Sequence, residues 1–211
     1  LHDALPICLS RKTLNALYTS FILPLFDYCC HIWDNCTTKQ ANLLENLHLD
    51  ALRTICGAVR GTSHEKLYKE TNYSTLKDRR HRFKLVTFYK MYHGMTPSYL
   101  SDLVPGRVSD QSDYHLRNRN SIQTINCRTQ RYSQSFLPSA INSWNSLPED
   151  VTSASSIKQF KTIIAPHQTT NFYDLSIGTR FCQVIHCRLK LGCSDLNADR
   201  YKRHISETSD K

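Results

Sequence analysis

Apolar positions alternate with polar ones at helical intervals over most of the chain. Leu14, Leu17, Tyr18, Phe21, Ile22 and Leu25 recur every three or four residues and predict an amphipathic helix. Ser10 supplies an N-cap. Pro24 lacks an amide hydrogen, so the helix should kink or end near Leu23, with 26–33 resuming it. A second helix is expected after Thr37 or Thr38, with Leu44, Leu47, Ala51, Ile55 and Val59 on one stripe and Gly57 and Gly61 at its stop. Ser63 should cap a short helix over 63–69. A third long helix should run from Thr75 to His93, with Leu85, Tyr89 and Tyr92 toward a core and Gly94 and Pro97 ending it. Residues 97–100 predict one helical turn with Pro97 near its start.

Beyond this point the pattern weakens. Residues 105–120 are polar and carry a Pro105-Gly106 turn signal. Residues 121–125 alternate like a short strand, and 127–133 should return antiparallel as a hairpin. Residues 136–147 predict a helix with Trp144 on its buried side, ended by Pro148. Glu149 and Asp150 suit the start of a following helix, where acids complement the dipole. Ile157, Phe160 and Ile164 mark a last amphipathic helix over 156–164. Residues 181–191 predict a further helix before the chain turns polar.

The expected fold is therefore mainly α: a thumb-like helical bundle, then an α-rich connector with one short β-hairpin, then a flexible C-terminal tail. The expected divisions are a non-native or unstructured start at 1–8, a helical segment at 9–60, a basic connector at 61–165, a linker at 166–178 and a tail at 179–211. Leu1–Ile7 resembles a translated sequencing-adapter scar and is set aside, and no Met begins the chain. Internal repeats are absent.

Composition narrows the class. The chain has 211 residues, 40% hydrophobic and 21% charged, which excludes wholesale disorder. No apolar run approaches the ~18 residues that cross a bilayer. Lys and Arg number 27 against 18 Asp and Glu, so the first partner to consider is a polyanion. The excess is concentrated: residues 61–95 hold eight basic and three acidic side chains, whereas 1–60 are neutral. At about 100° per residue, Lys77, Arg80 and Lys84 share one helix edge. With Arg79 and Arg82 they make the densest basic cluster, suited to phosphates. The bland alternative is a solvated helix face. Arg117, Arg119, Arg128 and Arg131 flank the expected hairpin beside Tyr114 and Tyr132, a pairing that suits phosphate contact and base stacking. There the bland alternative is a polar loop.

Nine cysteines, odd in number and irregularly spaced, read as apolar fillers in a reducing compartment. The triplets beginning at Asn35 and Asn72 read as chance glycosylation sequons. Cys182, His186, Cys187, Cys193 and His204 form the only candidate zinc cluster, but their spacing does not give two close ligand pairs. No metal or other cofactor is expected in this chain. No nucleophile elbow, His-Glu-x-x-His or phosphate-binding glycine loop occurs, which argues against a hydrolase, a zinc protease or a nucleotidase. Asp27 and Asp34 read as surface or capping groups. Tyr28, Trp33, Phe83, Phe88 and Trp144 read as core residues rather than stacking platforms.

Two stretches carry a resemblance. One is Leu17-Tyr18-Thr19-Ser20-Phe21-Ile22-Leu23-Pro24-Leu25-Phe26-Asp27-Tyr28-Cys29 with Trp33. The other is Ser135-Phe136-Leu137-Pro138-Ser139-Ala140-Ile141-Asn142-Ser143-Trp144-Asn145-Ser146-Leu147-Pro148. Between them lie Thr96–Leu100 and Tyr114–Asn118. This ordered set, over about 9–165, resembles the region after the catalytic palm of LINE-type, jockey-like non-LTR retrotransposon reverse transcriptases. Cys187–Asn197 resembles that family's approach to a terminal zinc-binding module.

The resemblance implies a part of an RNA-directed DNA polymerase that grips template–primer nucleic acid, an RNA–DNA hybrid or target DNA. It also implies Mg²⁺ held by palm carboxylates in a Tyr/Phe-x-Asp-Asp strand. No Asp-Asp pair occurs in this sequence, so no polymerase activity is expected of the chain alone. The implied setting is intracellular, in cytoplasm and nucleus, with no membrane and no small-molecule substrate. The alternative is a helical scaffold packing on other parts of the parent polyprotein, which should expose an apolar face within 9–60. A helix-turn-helix DNA-binding domain is disfavoured, because the gap from Gly57 to Thr75 exceeds a tight turn.

Overall fold

A computed structural model describes residues 9–110, 120–165 and 179–192. The protein is mainly α-helical. In chain order, α1 (Arg11–Leu17) runs through a π-helical segment (Tyr18–Ile22) into α2 (Leu23–Asp27). Then come α3 (Thr38–Cys56), α4 (His64–Thr71), α5 (Leu76–Tyr92) and α6 (Ser98–Ser101). A 3₁₀ turn at Val108–Asp110 precedes α7 (Gln130–Ser133), α8 (Phe136–Asn145), α9 (Glu149–Thr152), α10 (Ile157–Ile163) and α11 (Arg180–Leu191).

Local chemistry explains most starts. The Ser10, Thr129 and Ser156 side chains accept from the backbone N–H groups of Thr13, Tyr132 and Gln159. Pro24 neither ends nor breaks the first rod. The π-helical turn comes immediately before it, with the Leu23 N–H bonded back to Tyr18 O, so the ladder widens where Pro24 would interrupt it.

The chain forms two compact units whose limits differ from the expected divisions. The first comprises the described residues of Leu1–Phe26, Lys39–Leu76 and Gln168–Lys211. Its core joins Tyr18, Leu23, Leu49, Leu52, Ile55 and Leu67. The α3 stripe is rotated from the expected one. His48, Leu49, Leu52, Ile55 and Cys56 are buried, while Leu47 is exposed. His48 is held inside by the Tyr18 hydroxyl at its Nδ1. Glu45, beside it, accepts from the Tyr68 hydroxyl and the Leu76 N–H.

The expected flexible tail is corrected over its described part. α11 belongs to the first unit because its polar side chains finish other helices. Arg180 donates to the carbonyls of Ile55 and Thr54 at 2.7 and 2.6 Å, and Arg188 to that of Gly57 at 2.9 Å, supplying donors to the C-terminal end of α3. Gln183 accepts from the first N–H of α1, that of Arg11, at 3.1 Å. Gly57 permits this approach: its φ is +73°, and a Cβ there would lie 2.4 Å from a Val184 methyl.

The second unit comprises Asp27–Thr38 and the described residues of Lys77–His167. Leu85, Phe88, Tyr89, Ile122, Ala140, Ile141, Trp144, Ala154 and Phe160 form its core. Tyr89 stacks on Phe160 at 4.6 Å, and its hydroxyl donates to Ala154 O at 2.9 Å. The expected hairpin does not form, and no strand occurs among the described residues. Ile122 makes an isolated antiparallel bridge with Arg107. The Asn145 amide takes both backbone groups of Ile122, at 3.0 and 2.8 Å. Thr129 then caps 130–133 as a helical turn, which removes the returning strand. The expected linker at 166–178 lies outside the described residues.

Candidate nucleic-acid interface

The basic cluster on α5 was expected to face solvent. The structure corrects this for every member but Lys77. Arg80 and Lys84 are only 5% and 8% exposed. Both reach Asp34: Arg80 Nε donates to Oδ1 at 2.9 Å, and the Lys84 ammonium pairs with Oδ2. The Arg80 guanidinium also lies over the Trp33 ring, 5.5 Å from its centroid. Arg79 grips Asp27 with two parallel hydrogen bonds, Nε to Oδ1 and Nη2 to Oδ2, each 2.6 Å. Asp27 and Asp34 are therefore the counter-ions of the basic helix rather than surface or capping groups. Their seven-residue spacing was the signal in the sequence.

These pairs account for the local electrostatics. Burial would raise the Asp34 carboxyl, but the hydrogen bonds and charges of Lys84 and Arg80 outweigh it and hold Asp34 below the usual carboxylate range. The buried Cys30 thiol, close to Asp27 and Asp34, is pushed up to about 11 by burial and by both carboxylates. Arg82 is half-buried, and burial together with the neighbouring Arg79 lowers its pKa. Lys77 alone in this cluster is exposed.

The second basic group is different. Arg128 and Arg131 are exposed beside the half-exposed Tyr132, on and just before α7. Among the described residues neither arginine makes an ion pair. Arg117 and Arg119, with Tyr114, lie outside the described residues.

The aromatic expectations divide in the same manner. Phe88 and Trp144 are buried, and Trp33 is half-buried under Arg80. Tyr28 and Phe83 are exposed and are not core residues. Of the zinc candidates, Cys187 is buried against Cys56, Cys182 is exposed, and Cys193 and His204 lie outside the described residues. No group of three His, Cys, Asp or Glu side chains suited to a metal occurs among the described residues.

One surface was not singled out residue by residue. Phe21 and Leu25 are 69% and 73% exposed, with Leu17 and Ile22 also exposed on the same rod. On α3, Leu43 and Leu47 are exposed as well. The broad apolar stripe of 14–25 holds more apolar positions than the described residues of its own unit cover. Comparison of the chain with known protein families, with curated proteins and with solved structures finds no match in any of the three.

Proposed function

We propose that this chain is a helical accessory part of a LINE-type, jockey-like reverse transcriptase, and that it works as a scaffold packing on the polymerase portion of the parent protein. One observation carries this reading. Phe21 and Leu25, with Leu17 and Ile22, stand in water on a well-formed helical rod. Apolar area left in water forgoes about 25 cal/mol per Å² and commonly marks an interaction surface. The polymerase portion is the occupant, because Leu17–Cys29 belongs to the ordered set of segments that resembles the post-palm region.

The grip first expected of α5 is not favoured, since Arg79, Arg80 and Lys84 are already paired with Asp27 and Asp34. The Mg²⁺ that such a polymerase uses has no fitting donor set among the described residues, and those two carboxylates are engaged by cations. In this reading catalysis belongs to the palm, and the chain alone extends no primer. Nucleic-acid contact is a second reading, favoured by Lys77, Arg128, Arg131 and Tyr132, which remain exposed.

The test supplies this chain in trans to the polymerase segment encoded upstream in the same reading frame. The reading expects association, weakened at least tenfold by Phe21→Ser with Leu25→Ser. Association unaffected by that pair, or none at all, overturns it.

A further inference from the structure

Cys56 closes α3 and Cys187 lies on the buried face of α11. Both are fully buried, both carry free thiols, and they pack together with Leu191 in one small cluster. Two elements far apart in sequence thus meet through a pair of sulfurs. Charged groups of both signs flank them, and the Glu70 carboxylate opposes the cations at both thiols. Arg11, paired with Glu70 at 2.9 Å, and Arg180, bonded to the carbonyls of Thr54 and Ile55, both act on the pair. Lys190 also pairs with Glu70, at 2.6 Å.

We propose that Cys56 and Cys187 are a reversible redox pair whose disulfide fastens α11 to α3. The proposal is independent of the parent enzyme's identity.

The two thiols are not equivalent. The hydrogen bond from Cys187 pulls the Cys56 thiol down against its burial, and Arg11 and Arg180 assist. The same hydrogen bond and burial push the Cys187 thiol up. Cys56 is therefore the better nucleophile of the two and Cys187 the resolving thiol. With hydrogen peroxide as oxidant, the Cys56 sulfur attacks one peroxide oxygen, the O–O bond breaks, and Cys56 becomes a sulfenic acid as water leaves. The Cys187 sulfur then displaces the sulfenic oxygen, which departs as a second water once it has taken the Cys187 proton. Two thiols are oxidised by two electrons and one peroxide is reduced to two waters. A small thiol restores the pair by exchange. The closed ring includes most of the second unit's sequence, and cross-linking so long a loop restricts the unfolded chain strongly.

The experiment treats the native chain with hydrogen peroxide, alkylates the remaining thiols and digests with trypsin without reduction. The expected product joins Thr54–Arg60 to Phe181–Arg188, separates with dithiothreitol and is accompanied by a rise in melting temperature that reduction reverses. Phe181–Arg188 holds both Cys182 and Cys187, so the linked peptide is fragmented to locate the bond. The link should persist in Cys182→Ser and vanish in Cys187→Ser. Because the assignment is read on the unsubstituted chain, poor folding of a variant does not obscure it. Absence of the link once the exposed Cys182 is oxidised overturns the proposal. So does linkage of Cys56 to any other cysteine.

Discussion

The rod Arg11–Asp27 and the helix α5 invert the usual division between inside and outside. The rod leaves Phe21 and Leu25 in water, whereas α5 buries Arg80 and Lys84. Each inversion has a local cause. Asp34 offers two carboxylate oxygens to two cations, and the Trp33 ring covers one of them. Among the described residues of the first unit, none covers the outer face of the rod. Charge density along a sequence therefore says little about which cations face solvent when acids seven residues apart sit ready to pair with them. An apolar face left open is the more informative signal, because such a face commonly marks an interaction surface.

Breaking the buried side of this contrast should have the largest effect. Asp34→Ala leaves Arg80 and Lys84 buried without their counter-ion and should cost about 3 kcal/mol in urea unfolding. A loss below about 1 kcal/mol would mean that both cations swing freely into solvent. Acid acts on the same group. The folded Asp34 pKa lies below its unfolded value of 3.8, so its stabilisation is complete above that pH. It is lost as pH falls from there through the folded value. Acid titration of unfolding should therefore be steeper for the native chain than for Asp34→Asn, and equal slopes would remove Asp34 from the account.

Substitution on the exposed side should barely move stability. Phe21→Ser with Leu25→Ser should change the unfolding free energy by no more than about 0.5 kcal/mol while raising solubility and suppressing self-association in sedimentation velocity. A large loss of stability would show that this face packs within the chain. The smallest effect concerns the exposed arginines. Arg128→Ala with Arg131→Ala should leave folding unchanged and lower the salt slope of binding to an RNA–DNA hybrid by about 0.7–0.9 for each phosphate that is no longer neutralised. An unaltered slope would exclude both arginines from the nucleic-acid surface.

Much of the fold was legible because helices declare themselves locally. Ser10, Ser156, Pro97 and Pro148 stand where the sequence placed helix starts or stops, and Leu85, Tyr89, Trp144 and Phe160 lie in the core as their spacing required. Long-range polar contacts were not legible. The roles of Arg180, Arg188 and Gln183 depend on α11 reaching α3 and α1, which no local pattern encodes. The hairpin failed for the same reason, since Asn145 claims Ile122 from 23 residues away. In the candidate site the basic residues were visible, but their counter-ions decide their availability. Asp27 and Asp34, which read as surface or capping groups, supply those counter-ions.

The central claim is that the apolar rod rests on the polymerase portion of a larger protein. A photo-crosslinking residue at Phe21 in the full-length product of the reading frame tests it most directly. The account predicts crosslinks from position 21 to peptides of the segment that carries the Tyr/Phe-x-Asp-Asp strand. Crosslinks confined to this chain, no crosslink at all, or an upstream frame without that strand would contradict it.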